Sequence, residues 1–387
     1  LIVAGATAVM LATLPGRTQG LSLITEPLTA ELHFSHTTFA NLNLWATLIG
    51  ALFCFPAGWI FDRFGLRVPT AMIILALALV VGAISRAGSS VGMMFAWLTL
   101  TRGFGQSALS VSSITAMGKR FGNQGGMPMA IFSILMTVAF TIAFVLIGLA
   151  IEKQGWRASW MYVAIGLVFT APLALMLRVQ APTSTAAPEV GFEFSEALKT
   201  PAFWIFASAA ALFNFVSSGF GLFNEAIFLE YGLPQKTFHI FLGIMTFVSL
   251  LGQFFAGILL RKGASFQSIT AGALSLYAAG LLIIPLLHKD LQLLFVAIFI
   301  GVAAGMIMVV FFAIWAVAFG KRRLGRIQGA AQFMTVISSA LGPIVFAKCH
   351  EATHSYTPIL FSIAALVVVV GLIAWKAKLP ALPGNSV

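Results

Sequence analysis

Charge is what this chain has least of. Only 9% of its 387 residues are Asp, Glu, Lys or Arg, and just 11 are acidic. A soluble domain ordinarily carries about 25% charged residues, so an ordinary water-exposed surface is excluded. Cysteine is scarce as well. Cys54 and Cys349 fall near opposite ends of their hydrophobic runs, which rules out a disulfide framework. The sequence has no Gly-rich phosphate loop and no nucleophile–base constellation, and its six histidines follow no metal-ligand spacing. Enzyme activity is therefore not expected, and neither is a metal or an organic cofactor.

What the chain has instead is apolar length. Hydrophobic residues make up 60% of it, with a mean hydropathy of +1.00. The runs continue for roughly 20 residues without alternation, which suits membrane helices and not the roughly 10-residue alternating strands of a barrel. Twelve spans are predicted, at about 1–28, 40–61, 68–85, 91–118, 128–151, 159–177, 202–229, 238–260, 268–287, 291–319, 328–347 and 357–375. The opening Leu1–Leu14 has no basic leader or cleavage site and reads as part of a span, not as a signal peptide.

The formal charge of +11 invites a nucleic-acid reading until the positions are examined. Of the 22 Lys and Arg, 14 fall at even-to-odd turns or after the last span, 6 at the opposite turns, and 2, Arg17 and Arg102, inside spans. Basic residues are retained on the cytoplasmic side, so both chain ends are expected in the cytoplasm and no nucleic acid is expected as a partner.

The chain is also built twice. Gly58-Trp59-Ile60-Phe61-Asp62-Arg63-Phe64-Gly65-Leu66-Arg67 is echoed 199 residues on, from Gly257 to Gly263, with Arg261 where the first copy has Asp62. Gly20, Glu26 and Glu31 are answered at the same spacing by Gly219, Glu225 and Glu230, and Gly118-Lys119-Arg120 is answered 202 residues on by Gly320-Lys321-Arg322. The polar, Pro-punctuated stretch Gln180–Glu189 separates six spans from six. The expected organisation is thus an all-α membrane protein of twelve transmembrane helices in two pseudo-symmetric six-helix bundles, 1–178 and 201–387, joined by a cytoplasmic linker, 179–200.

Six plus six spans with Gly58-x-x-x-Asp62-Arg63-x-Gly65-x-Arg67 between the second and third resemble the major facilitator superfamily of secondary transporters. Gly155-Trp156-Arg157 after span five agrees. So does Arg102-Gly103-Phe104-Gly105-Gln106, which resembles the family's Arg-x-x-Gln-Gly element with one residue inserted. Span five lacks the Gly-Pro-rich signature expected of drug/proton antiporters. The resemblance implies that spans one, four, seven and ten line a central cavity. It also implies that Asp62, with Arg63 and Arg67, forms a breakable latch at the cytoplasmic face.

Charges inside spans need a reason, since each costs about 2.5–3.5 kcal/mol at a helix centre. Arg17 and Arg102 each lie about 11 residues, or roughly 16 Å, inward from the outer surface. Two guanidiniums at one depth suit a carboxylate or other oxyanion. Arg102 has a plainer alternative, bonding to backbone carbonyls or to Gln106. Gln19, Gln106, Asn214, Gln253 and Gln332 are candidates to complete the cavity, with a polar stripe between packed helices as the alternative. Glu225 and its repeat mate Glu26 read either as proton carriers or gate partners, or as interfacial charges that snorkel to water. The function expected is secondary transport of a small or amphipathic organic anion across the cytoplasmic membrane, by a monomer, with protons or a counter-anion as the coupled partner. A multidrug or siderophore exporter of the same fold is the alternative.

Overall fold

The computed structural model describes residues 1–122, 126–177, 190–233, 235–286 and 290–382. The linker stretch Gln180–Glu189 and Arg178 lie outside them. Helices account for almost all of the described chain, in the order the apolar runs dictate. They are α1 (Ile2–Ala12), α2 (Thr18–Leu32), α3 (His36–Ala51), α4 (Cys54–Phe64), α5 (Arg67–Ile84), α6 (Val91–Thr101), α7 (Ser110–Phe121), α8 (Met127–Thr170), α9 (Phe194–Leu198), α10 (Pro201–Glu230), α11 (Gln235–Arg261), α12 (Phe266–Ile283), α13 (Asp290–Phe319), α14 (Leu324–Thr353) and α15 (Thr357–Lys376).

Among the described residues, nine helical segments are long and apolar enough to cross a bilayer. One of them, Met127–Met176, has 50 residues and turns at Gly155 (φ 79°), so it makes two crossings. The first and fourth spans escape that count because each is interrupted: α1 and α2 part at Leu14–Arg17, and α6 and α7 are joined by a π-helical stretch, Arg102–Leu109. Twelve crossings result. Their outer faces are apolar. In Met127–Met176 an 18-residue window averages a hydropathy of 2.7 with only 11% of it buried, the reverse of a water-soluble helix and the mark of a lipid-facing one.

Contacts divide the chain into two compact units, one formed by Leu1–Arg120, Leu135–Phe194 and Gly320–Val336, the other by Phe121–Ile134, Ser195–Phe319 and Ile337–Val387. In the first unit, the turn before the sixth span is fixed by its Trp and Arg. Glu31, at the end of α2, accepts from Trp156 Nε1 (2.5 Å) and Arg157 Nε (2.7 Å), while the other guanidinium nitrogens donate to the carbonyls of Ser85 (3.0 Å) and Ala87 (2.9 Å). One arginine thus ties the ends of three spans. The second unit repeats the device with other residues. Glu230, 199 positions after Glu31, accepts from Ser355 Oγ (2.5 Å) and the Tyr356 N–H (3.0 Å), beside a left-handed residue, His354 (φ 54°), that answers Gly155.

The bonds from Arg157 and Trp156 hold the Glu31 carboxyl below its ordinary 4.5. A depressed carboxyl stabilises the fold fully above its unfolded value and loses that contribution as pH falls through the folded one. Thermal unfolding of the wild type should therefore steepen in acid below about pH 4.5 relative to Glu31→Gln, by no more than about 1 kcal/mol because the pair is half exposed. Parallel pH profiles for the two proteins would exclude the clasp.

Candidate functional site

The site grows from the interruption of the first span. Pro15 has no N–H to continue the helix, and Leu14–Gly16 tightens into a 3-10 turn that leaves Arg17 extended (φ −89°, ψ 153°) before α2 restarts at Thr18. Glycine is required twice here. A Cβ on Gly16 would stand 2.5 Å from the Thr101 carbonyl and 2.8 Å from Gly105 Cα, so the break and the fourth span touch backbone to backbone. A Cβ on Gly20 would stand 1.9 Å from the Leu14 carbonyl.

The fourth span meets this break with its π-helical stretch. Residues 102–109 take the wider winding, which accommodates the extra residue between Arg102 and Gln106 without breaking the helix on either side. Arg102 is 1% exposed and its bonds run to the protein itself. Nη1 donates to the Gly16 carbonyl (3.0 Å), Thr18 Oγ1 (3.2 Å) and Gln106 Oε1 (3.0 Å), and Nη2 donates to Asn43 Oδ1 (2.5 Å). Arg102 therefore grips the residues on either side of Arg17 and splints the unwound turn. Of the two arginines placed at one depth by the sequence, this one acts on the chain and not on solvent.

Arg17 is held differently. Nε donates to Thr13 Oγ1 (2.7 Å), Nη2 to Met10 Sδ (3.0 Å) and Ser110 Oγ (3.3 Å), and its guanidinium carbon lies 5.2 Å from the Phe140 ring centroid. Thr13, Met10 and Ser110 are buried, but Arg17 is only half buried, and among the described residues no acceptor bonds its Nη1. No carboxylate among the described residues forms an ion pair with either arginine. The result is a fixed cation with one donor edge available, at the start of a helix whose first-turn N–H groups add partial positive charge. Thr18 and Gln19 in that turn are exposed.

The remaining candidates are dispersed. Gln106 serves Arg102. Gln332, buried, belongs to the first unit, as does exposed Glu26. Asn214, Gln253 and Glu225 belong to the second. There Asn214 donates to its own helix at the Ala210 carbonyl (2.9 Å), and buried Gln253 reaches Ser249 Oγ (3.5 Å). Half-buried Glu225 bonds through its N–H to Asn224 Oδ1 (2.6 Å). Asn43 went unrecognised in the sequence. Its signal was one of two amides, Asn41 and Asn43, at the start of an apolar run, with nothing in the spacing to name Arg102 as its partner.

A second cluster forms around Asp62. Its side chain is 1% exposed and accepts from the backbone N–H groups of Gly325 (2.9 Å) and Arg326 (3.0 Å), the first turn of α14, with Lys119 Nζ at 3.8 Å. A carboxylate on unpaired N-terminal N–H groups is a strong, breakable cap. Close approach makes it possible: a Cβ on Gly325 would lie 2.7 Å from the Gly58 carbonyl and 2.8 Å from Asp62 Oδ1. Arg63 and Arg67 do not bond Asp62. Arg63 lies over the Trp59 ring at 5.4 Å and Arg67 donates to the Leu175 carbonyl (3.0 Å).

With broken spans, a capped gate-like turn and a twofold chain in place, the comparison with known families is decisive. The sequence model of the Major Facilitator Superfamily matches residues 5–343. The chain belongs to that superfamily. No characterised protein in the curated comparison matches it in sequence. Among solved structures, the human organic anion transporter MFSD10 (TETRAN) is similar at a TM-score of 0.71 and 13% identity, covering 96% of this chain and 98% of that one. At that identity the likeness is one of fold. This major facilitator protein is accordingly a multi-pass membrane transporter and not an enzyme.

Asn43→Ala would leave a buried guanidinium donor without its acceptor, and should lower stability by about 1.5–3 kcal/mol. Arg102→Lys should not substitute, because one ammonium cannot span Gly16, Gln106 and Asn43 together. Thermal unfolding in detergent measures both, and wild-type stability in either would exclude Arg102 as the splint.

Proposed function

We propose that this transporter carries a small or amphipathic organic anion, recognised through a carboxylate or like oxyanion by Arg17. The observation that supports it is the free Nη1 edge of a half-buried, midspan guanidinium that lacks a carboxylate partner among the described residues. An anion would supply the missing countercharge and could accept from Thr18, Gln19 or the first-turn N–H groups of α2. Arg102, Asn43 and Gln106 keep the unwound turn in shape for it. The organic-anion cargo in the name of the similar human structure belongs to that protein; here the reading rests on Arg17.

The carrier would work by alternating access, the halves 1–178 and 201–387 rocking about a midplane site while the linker 179–200 joins them. Asn214, Gln253 and Gln332 would complete the cavity as the halves move. Asp62 on the first turn of α14 would be the cytoplasmic gate, made in one conformation and released in the other. Protons or a counter-anion would drive the cycle, with Glu225 and its repeat mate Glu26, toward the outer ends of their spans, as the titratable groups. The setting is the cytoplasmic membrane, with both termini in the cytoplasm and a monomer as the working unit.

A thermal-shift screen of small carboxylates on the purified protein and on Arg17→Gln tests the assignment. A ligand at a hundred times its Kd should stabilise the wild type by about 2.7 kcal/mol. Loss of a charged hydrogen bond, about 1.5–3 kcal/mol, should weaken the variant roughly 10- to 100-fold. Equal stabilisation of both removes Arg17 from the site. Stabilisation by hydrophobic cations instead of carboxylates would favour an exporter of drugs.

A further inference from the structure

Asp62 can cap α14 only if the first turn of α14 is presented to it, and that turn is held from its other side. The backbone before it, Gly320–Arg323, pairs with residues 190–193 of the linker. Gly191 and Gly320 form an antiparallel bridge, and the Lys321 N–H donates to the Val190 carbonyl (3.0 Å). Gly320 is left-handed (φ 77°), and a Cβ there would lie 2.4 Å from that same Val190 carbonyl, so the turn is shaped to the strap. Two residues on, Glu193 accepts from Arg323 Nε (2.9 Å) and Nη2 (3.4 Å) and pairs with Arg322 Nη2 (2.9 Å).

The repeat explains why a linker residue stands here. In the first copy, Gly118-Lys119-Arg120 brings Lys119 to the copy's own carboxylate, Asp62. In the second copy the position of Asp62 is Arg261, so Gly320-Lys321-Arg322 has no such acid in its own half. Glu193 supplies one to this stretch, pairing with Arg322 and Arg323 and not with Lys321, the repeat mate of Lys119. Both carboxylates then converge on one short stretch: Glu193 on residues 322–323, Asp62 on the N–H groups of 325–326.

We propose that Glu193 is a positioning residue for the transport step: it straps the linker to the start of α14 and holds that first turn in register for Asp62. Release of the strap and release of the cap are then one event, and the linker is a working part of the gate and not only a tether. The proposal rests on Asp62 and α14 forming the gate, and it concerns a residue that the anion site does not need.

Cys54 is a built-in reporter. It is fully buried, and α14 lies against its backbone, since a Cβ on Gly329 would stand 2.5 Å from the Cys54 carbonyl. With Cys349→Ser, Cys54 is the only thiol in the chain. In that background, in lipid nanodiscs, the rate of N-ethylmaleimide labelling is followed by mass spectrometry. Asp62→Asn should raise the rate several-fold, Glu193→Gln at least threefold with an unchanged unfolding midpoint, and the double variant no more than Asp62→Asn alone. In an Arg322→Gln/Arg323→Gln background, Glu193→Gln should add nothing. A wild-type labelling rate in Glu193→Gln overturns the strap, whatever Asp62→Asn does. A wild-type rate in Asp62→Asn with a raised rate in Glu193→Gln overturns the Asp62 gate and with it the positioning role. A faster rate accompanied by a lowered unfolding midpoint in Glu193→Gln marks general loosening and also overturns it.

Discussion

A guanidinium inside a bilayer has to be answered by something, and the first unit is arranged around two of them. Each carries a cost of a few kcal/mol that only hydrogen bonds or a countercharge can offset. Arg102 is answered from within at both terminal nitrogens, by a carbonyl, a hydroxyl and two side-chain amides, while its buried Nε has no partner among the described residues. The carbonyl is available only because Pro15 and Gly16 interrupt the first span, and the interruption fits only because Gly105 faces it across the fourth. Break, π-helical winding and buried charge therefore require one another. Removing any one leaves an unsatisfied polar group in hydrocarbon.

Arg17 sits in the middle of that arrangement with its needs partly met. Two neutral oxygens, a sulfur and an aromatic face hold its position without cancelling its charge. Preorganisation of this kind lowers the entropic cost of binding, because the cation is already oriented when an anion arrives. The same guanidinium opposite a protein carboxylate would have been a structural ion pair with nothing to offer a solute.

Much of the scaffold was legible in the sequence because bilayer thickness fixes helix length, and a run of about 20 apolar residues leaves few alternatives. The extra residue between Arg102 and Gln106, also visible there, is absorbed by the wider winding of the fourth span. Partners were harder. Asn43 and Glu193 could not be assigned, since one is one of two amides at the start of a span without a polar period and the other lies within a segment whose composition reads only as loop. Arg102 showed its cost and its near acceptor Gln106 in the sequence, but not Gly16, Thr18 or Asn43, which come from 59 to 86 residues away in the chain. Hydrophobicity is read locally; hydrogen bonding across a bundle is not.

The duplication sharpens the point about where the site lies. At the 199-residue spacing of the first landmarks, Arg17 is answered by Val216, fully buried in the unbroken α10. Both copies pack their second span closely on their fourth, through Gly50 against Arg102 and Gly103 in the first and Gly252 against Val302 in the second. Two copies of one sequence have diverged into a charged, interrupted half and an apolar, continuous one. The helix break and the charge at its edge thus belong to the first copy.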